Sequence, residues 1–322
     1  MAENLCYTAM TKFKKVYGDM FERDYFTNSV HVPVWEQMSP FDKIDIESQL
    51  TGYSSAGCIT YVELDGGMSN NLDALETLVN YAMDKDIPYF AINIPNDICN
   101  DCGFTGEFND VCPVCGSRHI SHLRRVTGYL TGDYKTAFNW GKQKETEDRF
   151  RHGCLKVQLG DSKMCYIPND FINGEGVCVS LWTVGCPFKC PGCHNQELWD
   201  FEEDLKLPTD VKGQIIKAIS ANGVQRNFSV LGGEPLCVEN AKIVDDIVTA
   251  VRSAYANIKI YIWSGYTFEE LEQLSQENAH IQHILSLSNY LIDGRFELEN
   301  RDITLKLRGS SNQNIIDLEG KF

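Results

Sequence analysis

Two groups of cysteines constrain this chain more than any other feature. Cys99, Cys102, Cys112 and Cys115 form two Cys-x2-Cys knuckles separated by nine residues, and Cys186, Cys190 and Cys193 form a Cys-x3-Cys-x2-Cys array. The segment 96–119 is rich in Cys, Gly, Asn and Asp and cannot build a core from side chains alone. The 322 residues include 13 cysteines, an odd number that fits a complete disulfide framework poorly. Outside the two groups stand Cys6, Cys58, Cys154, Cys165, Cys178 and Cys237, each expected to behave as a small buried hydrophobe.

Four thiolates suit a tetrahedral zinc ion with no open position, which is a structural site. Gly103, Gly106 and Gly116 ease the turns around Cys99, Cys102, Cys112 and Cys115. Two disulfides or a four-cysteine iron–sulfur centre are the competing readings. With four sulfurs in place, His119 and His122 read as ordinary polar residues.

The other group follows an apolar run, Val177–Val184, and its Gly185, Pro187, Pro191 and Gly192 suit a tight loop rather than a helix. Iron–sulfur clusters are held by cysteine thiolates, and a cubane has four irons, so three local ligands leave one iron open. An open position is where a substrate or cofactor ligates, by the logic that separates catalytic from structural zinc. A fortuitous loop, or a zinc site completed by His194, is the alternative. Farther on, Gly232-Gly233-Glu234-Pro235 follows a second predicted strand, where glycines allow close approach to the backbone and Glu234 can accept hydrogen bonds.

Hydrophobic content of 43% and charged content of 23% are ordinary globular values, and no apolar run reaches the ~18 residues of a membrane span. The opening MAENLCYTAM lacks the pattern of a secretory signal, so the expected location is cytoplasmic. A net charge of −16 argues against a nucleic-acid partner.

The polar stretch 141–163 marks a seam, giving a first domain over 1–150, a linker over 151–162 and a second domain over 163–322. In the first, periodicity predicts a helix over Asn71–Asp84, with Leu72, Leu75, Leu78, Val79 and Ala82 on one face, and a strand over Pro88–Ile94. In the second, strands and helices alternate. Helices are expected at Asp210–Ser220, at Glu239–Tyr255 with Ile243, Ile247, Val248 and Val251 inward, and after a Thr267/Glu270 capping box. Strands are expected at Phe228–Leu231, Ile258–Trp263 and Tyr290–Asp293. Such β-α repetition implies an α/β fold with a parallel sheet. The chain is too short for eight units, so a partial, open barrel is expected.

At these residues a resemblance becomes specific. Cys186, Cys190 and Cys193 with Gly232–Pro235 resemble the radical S-adenosylmethionine superfamily. Asn173–Gly176, Cys193-His194-Asn195, Trp199, Trp263-Ser264-Gly265-Tyr266, Asp293–Phe296 and Arg308–Gln313 resemble the activating enzyme of anaerobic (class III) ribonucleotide reductase, from about Lys163 to the C-terminus. The resemblance implies a partial (β/α) barrel of radical-SAM type. It implies a [4Fe-4S] cluster whose open iron chelates S-adenosylmethionine, with Gly232–Pro235 contacting the methionyl amino group. Reductive cleavage then gives a 5′-deoxyadenosyl radical, with the protein orienting and excluding water. Trp263 and Ser264 are read either as cofactor contacts or as a strand end packing in the core.

The first domain is similar to the C-terminal part of the large subunit of the same reductase. The likeness runs through Val32–Trp35, Ser39–Lys43, Gly57–Tyr61, the four cysteines, Arg125–Tyr129 and Asn139–Lys142. It implies an α+β zinc-bound glycyl-radical domain in which Gly128 bears the radical. Glycine suits that role because a Cα radical delocalises onto the flanking amides without a side chain twisting it from planarity. In that family a nucleotide-binding barrel precedes this region, so this chain is expected not to reduce ribonucleotides without a partner barrel or a full-length large subunit. A flavodoxin or similar protein is the implied electron donor. The alternative makes residues 1–150 a non-catalytic zinc docking module that recruits a separate reductase.

Overall fold

The computed structural model describes residues 2–13, 23–27, 31–54, 57–66, 68, 71–108, 110–126, 129–131, 133–203 and 205–322. Two compact units emerge, one of Met1–Ser69 with Leu78–Gly153, the other of Asn70–Thr77 with Cys154–Phe322.

In chain order the first region carries α1 (Ala2–Phe13), α2 (Pro40–Thr51), β1 (Thr60–Glu63), α3 (Leu72–Asp84), β2 (Phe90–Asn93), β3 (Asn96–Cys99), β4 (Thr105–Gly106), β5 (Ile120–Val126), β6 (Tyr129–Thr131), α4 (Tyr134–Ala137) and α5 (Trp140–Glu147). Ser39 starts α2: its side chain accepts from the Asp42 N–H while Pro40 takes a first-turn position, where its missing donor costs nothing. Strands β1 and β2 pair in parallel, and β4-β3-β5-β6 form an antiparallel sheet. The buried stripe of α3 is Ala74, Leu78, Tyr81 and Ala82, not the full expected face. Leu72 and Val79 are exposed, because at 3.6 residues per turn they fall on the other side of the helix.

The second region carries β7 (Val157–Gln158), β8 (Cys165–Asp170), β9 (Cys178–Thr183), α6 (Val211–Ile219), β10 (Asn227–Gly232), α7 (Val238–Ala254), β11 (Ile260–Trp263), α8 (Phe268–Glu277), α9 (Ala279–Leu287), β12 (Tyr290–Asp293) and β13 (Asn314–Asp317). The expected helices and strands stand within a residue or two of their predicted bounds, and the Thr267/Glu270 capping box is formed. Beyond the sequence reading, β7 lies inside the expected linker 151–162 and Leu159 is buried in the core.

The sheet has seven strands in the order β13-β12-β11-β10-β9-β8-β7. Strands β9 to β12 are parallel and in chain order, with β8 and β13 antiparallel on their flanks. The helices that connect successive neighbours pack in one core against the sheet. In that core Val179, Leu181, Phe228, Val230, Ile260 and Ile262 meet Ile215, Val244, Ile247, Val248, Leu271 and Ile284. Ile243 is half-buried at its margin. Alternation along the strands sends Ser180, Ser229 and Tyr261 to the opposite side, where they are also buried. Cys6, Cys58, Cys165, Cys178 and Cys237 are buried as expected, but Cys154 is exposed at the end of the short turn His152–Cys154, whose buried member is His152.

Candidate functional site

In the second unit, the loops leaving the carboxyl ends of β9, β10, β11 and β12 converge, the place where parallel α/β sheets hold ligands. Cys186, Cys190 and Cys193 occupy the first loop and are half-buried. It turns through three left-handed residues, Gly185 (φ +90°), Lys189 (φ +46°) and Gly192 (φ +79°). A non-glycine there is uncommon, and such strain persists where surrounding structure over-determines it. The Cys186 N–H donates to the Trp199 carbonyl (2.9 Å), closing the loop on itself.

The second loop is stitched to the first. The N–H of Gly233 donates to the Thr183 carbonyl and that of Glu234 to the Gly185 carbonyl, both at 2.8 Å. A Cβ on Gly233 would lie 2.4 Å from the Gly185 oxygen, so only glycine allows this approach. Buried Asn240 ties both loops together by donating to the carbonyls of Val184 and Glu234, each at 2.9 Å.

Glu234 is fully buried and accepts three hydrogen bonds: from the Leu236 N–H (3.0 Å), the Ser264 hydroxyl (2.8 Å) and the Gly265 N–H (2.7 Å). Burial pushes its carboxyl up to about 7, against the opposing pull of those donors. Desolvation also raises the thiols of Cys186 and Cys190, which a bound metal would deprotonate.

One cavity is lined by Cys186, Cys190, Cys193, Gly232, Gly233, Glu234, Trp263 and Ser264, so the structure brings these sequence-predicted residues together. Pro235 is buried next in the chain and is not part of the lining. The Trp263 indole N–H donates to the Leu307 carbonyl (2.9 Å), and Ser264 reaches Glu234, so both serve partly to hold the walls. Asn240 escaped the sequence reading, and Asp293 entered it only as part of the Asp293–Phe296 resemblance, without a role. Asp293 holds the β12 end by accepting from the Phe268 and Asn314 N–H groups, a role that depends on partners distant in the chain.

In the first unit, Cys99, Cys102, Cys112 and Cys115 place their sulfurs within 4.8 Å of one another, with Cys99–Cys115 at 3.5 Å and Cys102–Cys112 at 3.6 Å. Zinc–sulfur bonds of about 2.3 Å at tetrahedral angles put sulfurs roughly 3.8 Å apart, so these residues fit one four-coordinate ion. Each knuckle turns through a left-handed glycine, Gly103 and Gly116, whose N–H returns to the Cys99 or Cys112 carbonyl. The Cys102 N–H aimed at Cys99 holds that thiol below the usual range. Among the described residues this is the only such compact group, so His119, His122 and His194 complete no metal set of this kind. His122 instead pairs with buried Asp97 beneath the knuckles (2.8 Å). Gly128 lies outside the described residues.

Fold and site define a mixed α/β iron–sulfur protein, and residues 172–316 match the family described as 4Fe-4S single cluster domain. Residues 2–152 match the anaerobic ribonucleoside-triphosphate reductase family. The anaerobic ribonucleoside-triphosphate reductase-activating protein of Escherichia coli is 33% identical over 149 residues, covering 46% of this chain and 93% of that protein. The chain therefore belongs to that activating-protein family, and joins to it a reductase-type region. The anaerobic ribonucleoside-triphosphate reductase of Haemophilus influenzae is 38% identical over 160 residues, 47% of this chain but 22% of that reductase. A solved anaerobic ribonucleotide reductase covers 47% of this chain and 23% of its own, at 23% identity and a TM-score of 0.37. The chain thus spans about a quarter of the reductases it matches. No helix among the described residues is long and apolar enough to cross a membrane.

Proposed function

We propose that the chain is a radical S-adenosylmethionine activating enzyme that places a glycyl radical on Gly128, or on the equivalent glycine of a partner reductase. The observation that carries this reading is the single cavity joining Cys186, Cys190 and Cys193 to Gly232, Gly233 and Glu234. Sequential parallel strands with helices on one face support a partial barrel of radical-SAM type around it. The three cysteines hold a [4Fe-4S] cluster, and when reduced it supplies the electron for cleaving S-adenosylmethionine, the source of the hydrogen-abstracting radical.

The chain's own residues bind and orient. The side-chain-free backbone of Gly232 and Gly233 on the cavity wall lets the methionyl end approach. Glu234, held by three donors, fixes the loop that Ser264 and Gly265 face. Trp263 walls the cavity against water. In the first unit Cys99, Cys102, Cys112 and Cys115 hold zinc, which pins the segment leading to Gly128. A reductase barrel or full-length large subunit supplies ribonucleotide reduction, and a flavodoxin-like protein supplies electrons in the cytoplasm.

The test is anaerobic electron paramagnetic resonance on reconstituted, dithionite-reduced protein given S-adenosylmethionine, beside Gly128→Ala. A carbon-centred doublet in the parent and none in the variant is expected. If 5′-deoxyadenosine forms while neither sample shows the doublet, the first unit either needs a partner barrel or serves only as a docking module for a separate reductase.

A further inference from the structure

Arg295 is the residue whose placement the activity above does not explain. It follows Gly294 (φ +95°) at the carboxyl end of β12. Its guanidinium carbon lies 4.4 Å from the ring centroid of Phe188, between Cys186 and Cys190. Phe188 is itself fixed from other sides. Its ring meets Tyr266 edge-on at 4.7 Å, and a Cβ on Gly265 would come within 2.4 Å of it. The Arg295 Nη2 donates to Glu270 Oε1 at 3.1 Å, and the Arg295 carbonyl accepts from Asn312 at 2.8 Å. Glu270 is anchored in turn by the capping box of α8. The cation is thus held against the cysteine loop by an aromatic face on one side and a carboxylate on the other.

A chain of net charge −16 disfavours adding an electron to any centre it carries. Cluster potentials are set by net charge, hydrogen bonds to sulfur and exposure. Lys189 of the cysteine loop pairs with Asp200 at 3.0 Å and both side chains are more than half exposed, whereas Arg295, 45% exposed and paired with Glu270, is distinguished by resting on the Phe188 ring. Resting on the cluster reading above, we propose that Arg295 is a positioning residue for charge: clamped over Phe188, it raises the reduction potential of the iron–sulfur cluster held by Cys186, Cys190 and Cys193.

The experiment is an anaerobic redox titration followed by electron paramagnetic resonance, without S-adenosylmethionine, on the parent, Arg295→Gln, Arg295→Lys and Glu270→Gln at matched iron content. Arg295→Gln is expected to lower the reduced-to-oxidised ratio at a fixed potential about tenfold, ~59 mV for one electron. Arg295→Lys keeps the charge and recovers most of that loss. Glu270→Gln, which a capping box tolerates, shifts the potential the opposite way. Equal potentials in the parent and Arg295→Gln, or equal losses in Gln and Lys variants, overturn the proposal and leave the cluster reading standing. A parent protein that takes up no cluster overturns both.

Discussion

Burial of His152 makes the first unit sensitive to acid. Its Nδ1 lies 3.1 Å from the Glu63 N–H and 3.2 Å from the Glu63 carbonyl at the end of β1. Desolvation lowers its pKa to about 4. A histidine whose folded pKa is depressed stabilises fully above its ordinary value near 6.5, and loses that contribution as pH falls toward about 4. Between pH ~7 and ~5 the loss is on the order of 2 kcal/mol. Chemical denaturation followed at those two pH values should show it, and His152→Gln should flatten the difference. Glu234 has the opposite sign. Its carboxyl, raised to about 7 by burial, favours the folded state at low pH and ceases to do so as pH rises through that value.

On the proposed reading, a metal on Cys99, Cys102, Cys112 and Cys115 holds the knuckled segment between β3 and β5. Cys99 and Cys112 are buried while Cys102 and Cys115 reach the surface, and few apolar side chains lie between them to hold the turns closed. A structural zinc site contributes folding free energy outright. Elemental analysis should find one zinc per chain in addition to cluster iron. Cys112→Ser should abolish it and open residues 96–120 to proteolysis, while the visible absorbance of the cluster is retained. Loss of that absorbance together with zinc would show that the two centres are not independent. The knuckle spacing was legible from sequence because the ligands are local. The Asp97–His122–Arg124 network beneath it was not, since its members come from β3 and β5 and meet only through antiparallel pairing.

For the whole molecule, one polypeptide carries both the glycine and the machinery proposed to act on it, which raises their effective concentration to ~mM. If transfer stays within a chain, radical yield per chain should be unchanged over a roughly tenfold dilution. A yield that falls with dilution, and rises when full-length reductase is added, would place transfer between chains. Sequence by itself determined the β-α alternation, the two cysteine groups, the capping box and the Gly-Gly-Glu-Pro loop, because each is written in neighbouring residues whose spacing carries its chemistry. Tertiary structure decided what those neighbours cannot report. It placed Glu234 among donors from Leu236, Ser264 and Gly265, brought Asn240 onto two loops, and set Arg295 over Phe188. It also exposed Leu72 and Val79, since which face of an amphipathic helix is buried depends on what packs against it. Such contacts join residues far apart in the chain, and only the register of the strands that carry them brings them within reach.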